Sequence, residues 1–222
     1  VAEGLGAPIP AKLEKPVNMS VPGDVDPKKV QPKRAVQDMD VSPRLRMIDN
    51  PNFPNETIKT RKIAFLVSDG FDDAALLDMK RTLMTAGAVV VTVAPRLGVL
   101  RGANGTVVKA DFSFLTGSSV LFDGFYVPHG EASVASLKSD PEVANFLNEA
   151  YKHCKTIAAS GAGVELLVSA GIVTAADEIS RTDKLEFRPG LVASREAYVQ
   201  GLGDQFVKSI ARHRHWGREP AL

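Results

Sequence analysis

Cysteine is nearly missing: Cys154 is the single one, so no internal disulfide framework can hold this chain together. Long hydrophobic runs are missing too, and none reaches the about 18 residues a membrane-spanning helix requires. Charge of one sign is not in excess, with 27 Lys and Arg against 26 Asp and Glu. That balance argues against a nucleic-acid partner, which asks for a basic surplus, and against an acidic solvating tail. The chain opens at Val1, without Met and without a signal-peptide pattern, and reads as a piece of a longer protein. The phosphate-binding pattern G-x-x-x-x-G-K-[ST] is absent, and so is the nucleophile pattern G-x-S-x-G.

What is present divides unevenly. Residues 1–60 hold nine of the 14 prolines and a single aromatic, Phe53. Their apolar residues show no period, and nine basic side chains face eight acidic ones. Prolines so spaced forbid a long helix, and the composition cannot build a core. This stretch is expected to be a linker or an extended arm ordered only by its neighbours.

Residues 61–222 have a different character. Residues 63–67 (IAFLV) form an unbroken apolar run, as expected of a strand buried on both faces. Leu76, Met79, Leu83 and Met84 then recur at helical spacing until Gly87. Residues 88–94 (AVVVTVA) predict a second buried strand, 95–105 a turn-rich stretch, and 106–109 a short hairpin arm. Strands are also predicted at 125–127, 156–159 and 190–194. Asp140 with Pro141 marks a helix start, followed by the stripe Val143, Phe146, Leu147, Ala150 and Tyr151. Residues 164–170 read as a helix closed by Gly171. Ser194 is expected to cap a last helix with apolar face Val199, Leu202, Phe206 and Ile210, which also carries Tyr198 and, two residues apart, His213 and His215. Strands alternating with amphipathic helices predict an α/β three-layer sandwich with a mainly parallel sheet. Its crevice lies beyond the carboxyl ends of the strands, where the loops 68–73, 128–131 and 160–163 meet.

Those loops hold the candidate chemistry. Ser160 stands one residue before the tight position of the turn, Gly161, and the alternation of a strand points it to the opposite face. Gly161-Ala162-Gly163 leads into a helix and suits either a structural turn or a phosphate cradle, though Leu166 stands where a dinucleotide fingerprint has its third glycine. Asp69, Asp72 and Asp73 suit either general-base work or helix capping. His129 and Glu131 share the crevice but do not by themselves make a metal site. His153 and Cys154 fall at the opposite end, and Cys154 reads as an ordinary thiol. Asn18, Asn55 and Asn104 head Asn-x-Ser/Thr triplets, which leave the compartment open between secreted and cytoplasmic. A hydrolase and a flavin- or nucleotide-binding module remain open alternatives on the residues alone.

Three segments, 61–94 (RKIAFLVSDGFDDAALLDMKRTLMTAGAVVVTVA), 123–130 (DGFYVPHG) and 155–172 (KTIAASGAGVELLVSAGI), resemble the PfpI-type, class I glutamine amidotransferase-like superfamily. The closing HRHW at 213–216, the linker SPRLRMIDN at 42–50 and the opening VAEGLGAPIP resemble, more narrowly, the C-terminal domain of large-subunit catalases with its linker. The resemblance implies a flavodoxin-like domain over 61–222, preceded over 1–60 by the tail of the catalase helical region and a Pro-rich linker. It places the superfamily's elbow cysteine at Gly161, the following histidine at Ala162 and the glutamate after the first strand at Asp72. These are degenerate positions, so the resemblance implies no catalysis by this part, because the hydrolase needs a thiolate. It further implies a role in assembly and stability of a homo-oligomer, contact with the catalase core, ATP-independent holding of unfolded client chains, and haem only in the remainder of the parent. Tyr126, Tyr151 and Tyr198 all lack the R-x-x-x-Y setting expected of a haem ligand. Apolar residues without a clear period (Leu97, Val99, Leu100, Phe112, Phe114 and Leu115) either fill a core edge or form an exposed holding surface.

Overall fold

A computed structural model describes residues 57–174, 177, 179 and 184–218. The expectations for residues 1–56, with the sequons at Asn18 and Asn55, lie outside the described residues. Ile58, which the sequence reading leaves in the arm, is 1% exposed and packs in the core.

The apolar runs do become parallel strands: β1 (Lys62–Leu66), β2 (Val89–Ala94), β6 (Gly124–Val127), β7 (Thr156–Ser160) and β9 (Leu191–Ser194). With the short β5 (Phe112–Ser113) and β8 (Glu186–Arg188) they form one sheet in the order β5-β2-β1-β6-β7-β9-β8. Every pairing in it is parallel except β8 with β9. Side chains alternate between two cores. Ala64, Leu66, Phe125, Val127, Ile157 and Ala159 face the layer of α2 (Glu131–Lys138), α3 (Pro141–Lys152) and α4 (Gly163–Ser169). Ile63, Phe65, Tyr126 and Ala158 face α1 (Asp73–Thr85) and α5 (Leu202–Ala211). The three-layer α/β reading is thereby met. Between β2 and β5 a separate antiparallel hairpin, β3 (Gly98–Arg101) with β4 (Val107–Ala110), stands apart from the main sheet.

Several expectations need correction. β2 is not buried along its length, because β5 pairs only with Val93 and Ala94, leaving Val89 47% exposed. The turn-rich stretch and short arm are a complete hairpin. α2 was not foreseen: its sequence EASVASLK is short and rich in small residues, and Gly130 (φ +140) precedes it instead of a capping side chain. The last helix is capped by Gly201 (φ +88), not Ser194, whose hydroxyl accepts from the Glu196 N–H. Val199 and Tyr198 precede that helix. His213 and His215 lie beyond its end, since His213 takes a left-handed φ of +67 after Arg212.

Candidate functional site

The three foreseen loops converge at the carboxyl edge of the sheet, tied by backbone groups. The Asp72 N–H donates to the His129 carbonyl (2.7 Å), and the His129 N–H donates to Ser160 Oγ (3.0 Å). Gly130 passes so close to the first loop that a Cβ there would lie 2.6 Å from the Gly70 carbonyl oxygen. Beside this junction opens a cleft of about 610 Å³ lined by His129, Glu131, Val134, Lys138, Glu165 and Arg195.

Within the turn after β7, Ser160 is fully buried on the α1/α5 side, as its alternation requires, with its hydroxyl 2.9 Å from the Tyr126 hydroxyl. Burial drives the Tyr126 phenol upward, against the lowering effect of the Ser160 hydrogen bond, so the phenol stays protonated. Gly161 takes φ +49, and its N–H is shared between the carbonyls of Ser194 and Glu196, each at 2.9 Å. A Cβ at Gly161 would stand 2.4 Å from His129 Nδ1 and 2.8 Å from its Cγ. The imidazole thus occupies the space a side chain at the tight position would enter. His129 Nδ1 accepts from the Ala162 N–H (3.0 Å), which places the proton of the neutral ring on Nε2. As a phosphate cradle the turn is poorly supplied, because the amides of Gly161 and Ala162 are already spent. Gly163 is small for a packing reason: a Cβ would meet the Val127 carbonyl oxygen at 2.4 Å.

The three acids are brought near each other but divide their tasks. Asp72 caps α1, accepting from the Ala75 N–H (2.7 Å). Asp73, foreseen as an equal candidate for the cap, turns instead to the hairpin and accepts from the N–H groups of Asn104 (2.8 Å) and Thr106 (2.6 Å). Burial acts to raise its pKa, but the hydrogen bonds from Thr106 and Asn104 outweigh this and hold it below the ordinary aspartate value. Asp69 accepts from the Arg101 N–H (2.8 Å) and pairs with Arg96 at 3.2 Å.

The most perturbed cations lie at the opposite, amino edge, where sequence reasoning looked for nothing beyond an ordinary thiol. Lys155 is 2% exposed and donates to the carbonyls of Ser119 (2.6 Å) and Phe122 (2.8 Å). Burial first, then the Arg214 charge, lowers its pKa to about 8. Arg218 is 5% exposed, donates to the carbonyls of Tyr151, Lys155 and Pro189, and lies over the Tyr151 ring at 4.3 Å. His215 Nε2 contacts the hydroxyls of Thr156 (3.0 Å) and Ser209 (3.3 Å), while its backbone N–H donates to the Cys154 carbonyl (2.9 Å). Desolvation, with the Arg218 charge next, brings His215 down to about 4; desolvation and then Arg214 bring His213 to about 4. His213 accepts from Arg61. Cys154 is buried, its thiol 3.8 Å from the Arg218 carbonyl oxygen. The signal available in the sequence was the polar HRH run after an apolar helix. Among the described residues, no group of three or more His, Cys, Asp or Glu could hold a metal ion, and no helix is long and apolar enough to cross a membrane.

Residues 59–220 match the family described as the C-terminal domain found in long catalases. The chain is 36% identical to Catalase HPII of Mycobacterium avium over 80% of its own length and 25% of that protein. It is 33% identical to Catalase-2 of Bacillus subtilis over 73% of its own length and 22% of that one. It therefore spans about a quarter of the length of these curated relatives. Among solved structures, a ThiJ/PfpI domain protein of Brachyspira murdochii superposes with a TM-score of 0.56 at 21% identity, covering 69% of this chain and 95% of that one. At that identity the likeness speaks for the fold alone.

Proposed function

The chain belongs to the family of C-terminal domains found in long catalases, and from that premise we propose that it is a non-catalytic module serving the assembly and stability of its parent. In this reading the parent decomposes hydrogen peroxide as a haem enzyme, in defence against oxidative stress. Residues 1–60 are then the tail of the preceding helical region and a linker, and 61–222 the appended domain. Partners are the catalase core of the same chain, further copies of the parent, and unfolded client chains held without ATP.

One observation carries the non-catalytic part: Gly161, where the elbow of the superfamily has its cysteine, has no room for a side chain, because His129 Nδ1 stands 2.4 Å from a Cβ there. The degenerate positions Asp72, Gly161 and Ala162 are each used by the fold, as a helix cap, a turn and a donor to His129. The three tyrosines are also poorly placed to ligate a haem iron. Tyr126 is buried and bonded to Ser160, Tyr151 lies under Arg218, and Tyr198 is a surface residue 56% exposed. The haem chemistry is thus assigned to the part of the long chain outside this domain.

Removing residues 59–222 from the full-length parent tests the reading. The expected result is a parent that dissociates and loses activity at lower temperature, with unchanged turnover per haem in the fraction still folded. Unchanged thermal inactivation and unchanged assembly would refute it. For the holding role, light scattering of a heated, aggregation-prone enzyme is followed without nucleotide. Protection no better than that of an inert protein at equal mass removes that role and leaves the structural one.

A further inference from the structure

A hairpin with one face on a core and the other in water alternates apolar inside with polar outside. The β3–β4 hairpin does not. Its inner face is apolar as required, with Leu100 1% and Ala110 3% exposed and Val108 half-buried. Its outer face also carries large apolar groups: Val99 is 56% exposed, Val107 55%, and Leu97, just before the strand, 57%. Val99 pairs with Lys109 and Arg101 with Val107, so the two valines are diagonal neighbours on one face, flanked by two cations. Neither strand contributes a carboxylate.

This face is also held rigid. A two-stranded hairpin alone is marginal in water. Here Asp69 accepts from the Arg101 N–H and Asp73 from those of Asn104 and Thr106, while Gly70 donates to the Arg101 carbonyl and Ala103 to that of Phe71. Gly102 seals the junction, since a Cβ there would lie 2.5 Å from Asp73 Oδ2. The crevice acids therefore order the hairpin before any partner arrives, and a preorganised surface loses little conformational entropy on binding.

We propose that this outer face is the surface by which the domain docks onto the part of a long catalase that precedes it, against apolar side chains rimmed by carboxylates. The inference rests on the family reading above and names a contact that reading leaves open. The occupant follows from length and charge. The match spans about a quarter of each relative and lies in their C-terminal domain, so the bulk of such a chain precedes it. A second copy of this face would set Arg101 and Lys109 against their own kind, which costs affinity. A rigid two-stranded face is also ill suited to varied unfolded clients, which favour pliable, Met-rich or loop-rich surfaces.

The test uses the full-length long catalase carrying this domain, with a photo-cross-linking residue in place of Val99 or, as a control, Val168 on α4, which is 39% exposed. The expected result is cross-links from position 99 to residues preceding the domain, at a yield several-fold above that from position 168. The double substitution Arg101→Glu with Lys109→Glu, both exposed, lowers the yield from a probe at Val107 several-fold. Cross-links from position 99 only to another copy of the domain, only to added unfolded protein, or to nothing would overturn the proposal. If position 168 cross-links to the preceding part and position 99 does not, the docking face falls while the appended-domain reading stands.

Discussion

The two edges of the sheet handle ionisable side chains in opposite ways. At the carboxyl edge, aspartates sit on backbone N–H groups: Asp72 on Ala75, Asp73 on Asn104 and Thr106, Asp69 on Arg101. At the amino edge, cations sit on backbone carbonyls: Lys155 on Ser119 and Phe122, Arg218 on Tyr151, Lys155 and Pro189. Part of the pattern follows the direction of the chain, at Ala75 in the first turn of α1 and Tyr151 in the last turn of α3, while the other amides belong to the hairpin and the other carbonyls to connecting segments. Helices start above the carboxyl edge and leave N–H groups without intrahelical partners, and they end at the amino edge and leave carbonyls. The Tyr151 carbonyl is such a group, in the last turn of α3. A cluster of charged residues in a crevice is therefore no proof of chemistry there.

The strongest way to break this comparison is Arg218→Met. It removes the guanidinium from three carbonyls at the amino edge, of which that of Tyr151 keeps the Cys154 N–H, while filling much of the same space. We expect a loss of about 3 kcal/mol, the upper end of the scale for buried acceptors deprived of a charged donor. Urea unfolding of the chain measures it. A loss below about 1 kcal/mol would mean that water reaches those carbonyls and that the amino edge is not organised by its cations.

Acid gives the next largest effect. His215 titrates at about 4 in the fold and at 6.5 unfolded, so between those values the unfolded chain binds the extra proton. Its stabilising contribution is whole above about pH 6.5 and is lost as pH falls toward 4, amounting to at most about 3 kcal/mol. His213 adds in the same direction, and less, because it is only half-buried and nearer solvent. Unfolding free energy measured from pH 7.5 down to about 4.5 should fall more steeply for the natural chain than for His215→Gln. Equal slopes would sink the assignment.

How far the sequence discloses these two edges depends on what each requires. The parallel sheet, α3 with its Asp140–Pro141 start and the meeting of three loops are legible because apolar runs, caps and strand order are local signals. The face that Ser160 takes is legible from alternation alone. The division of labour between Asp72 and Asp73 is not, since it depends on a hairpin tip about 30 residues further on folding back over α1. The same holds for His129, whose ring fills the space at Gly161 from 32 residues away. The amino edge stayed hidden because Lys155 meets carbonyls more than 30 residues earlier, at Ser119 and Phe122, and Arg218 meets its own only when the tail beyond α5 returns to the start of β7. Among the apolar residues without a period, Leu100 and Phe114 fill the core while Leu97, Val99 and Leu115 are exposed; for Leu100 and Val99 the hairpin register decides the split.

Gly161→Ala sharpens the comparison at the carboxyl edge. The added Cβ must displace the His129 ring and accept a left-handed φ, so a cost of about 2 kcal/mol is expected. Combining it with His129→Gly removes the clash but not the backbone strain, and should return roughly half of that cost. Thermal unfolding of the two single variants and the double variant measures the coupling. Simple additivity would show that the imidazole yields freely and does not block the position.

Asp72 offers the smallest effect and separates two readings of one carboxylate. As a helix cap it needs only a short side chain with an oxygen that reaches the Ala75 N–H, now 2.7 Å away. As an acid that takes part in chemistry it would need its charge and proton. Asp72→Ala should cost about 1 kcal/mol, the usual price of a lost N-cap. Asp72→Asn keeps the oxygen and loses the charge, and should cost only a few tenths of a kcal/mol. Asp72→Glu keeps the charge but lengthens the side chain past the capping geometry, and should approach the alanine value. Urea midpoints for the three variants, taken at one pH near neutrality, rank them. The order Asn mildest, then Glu, then Ala marks a cap. If Glu instead matches or exceeds the natural chain in stability while Asn falls to the level of Ala, the charge is what the position requires, and Asp72 does more in the crevice than cap a helix.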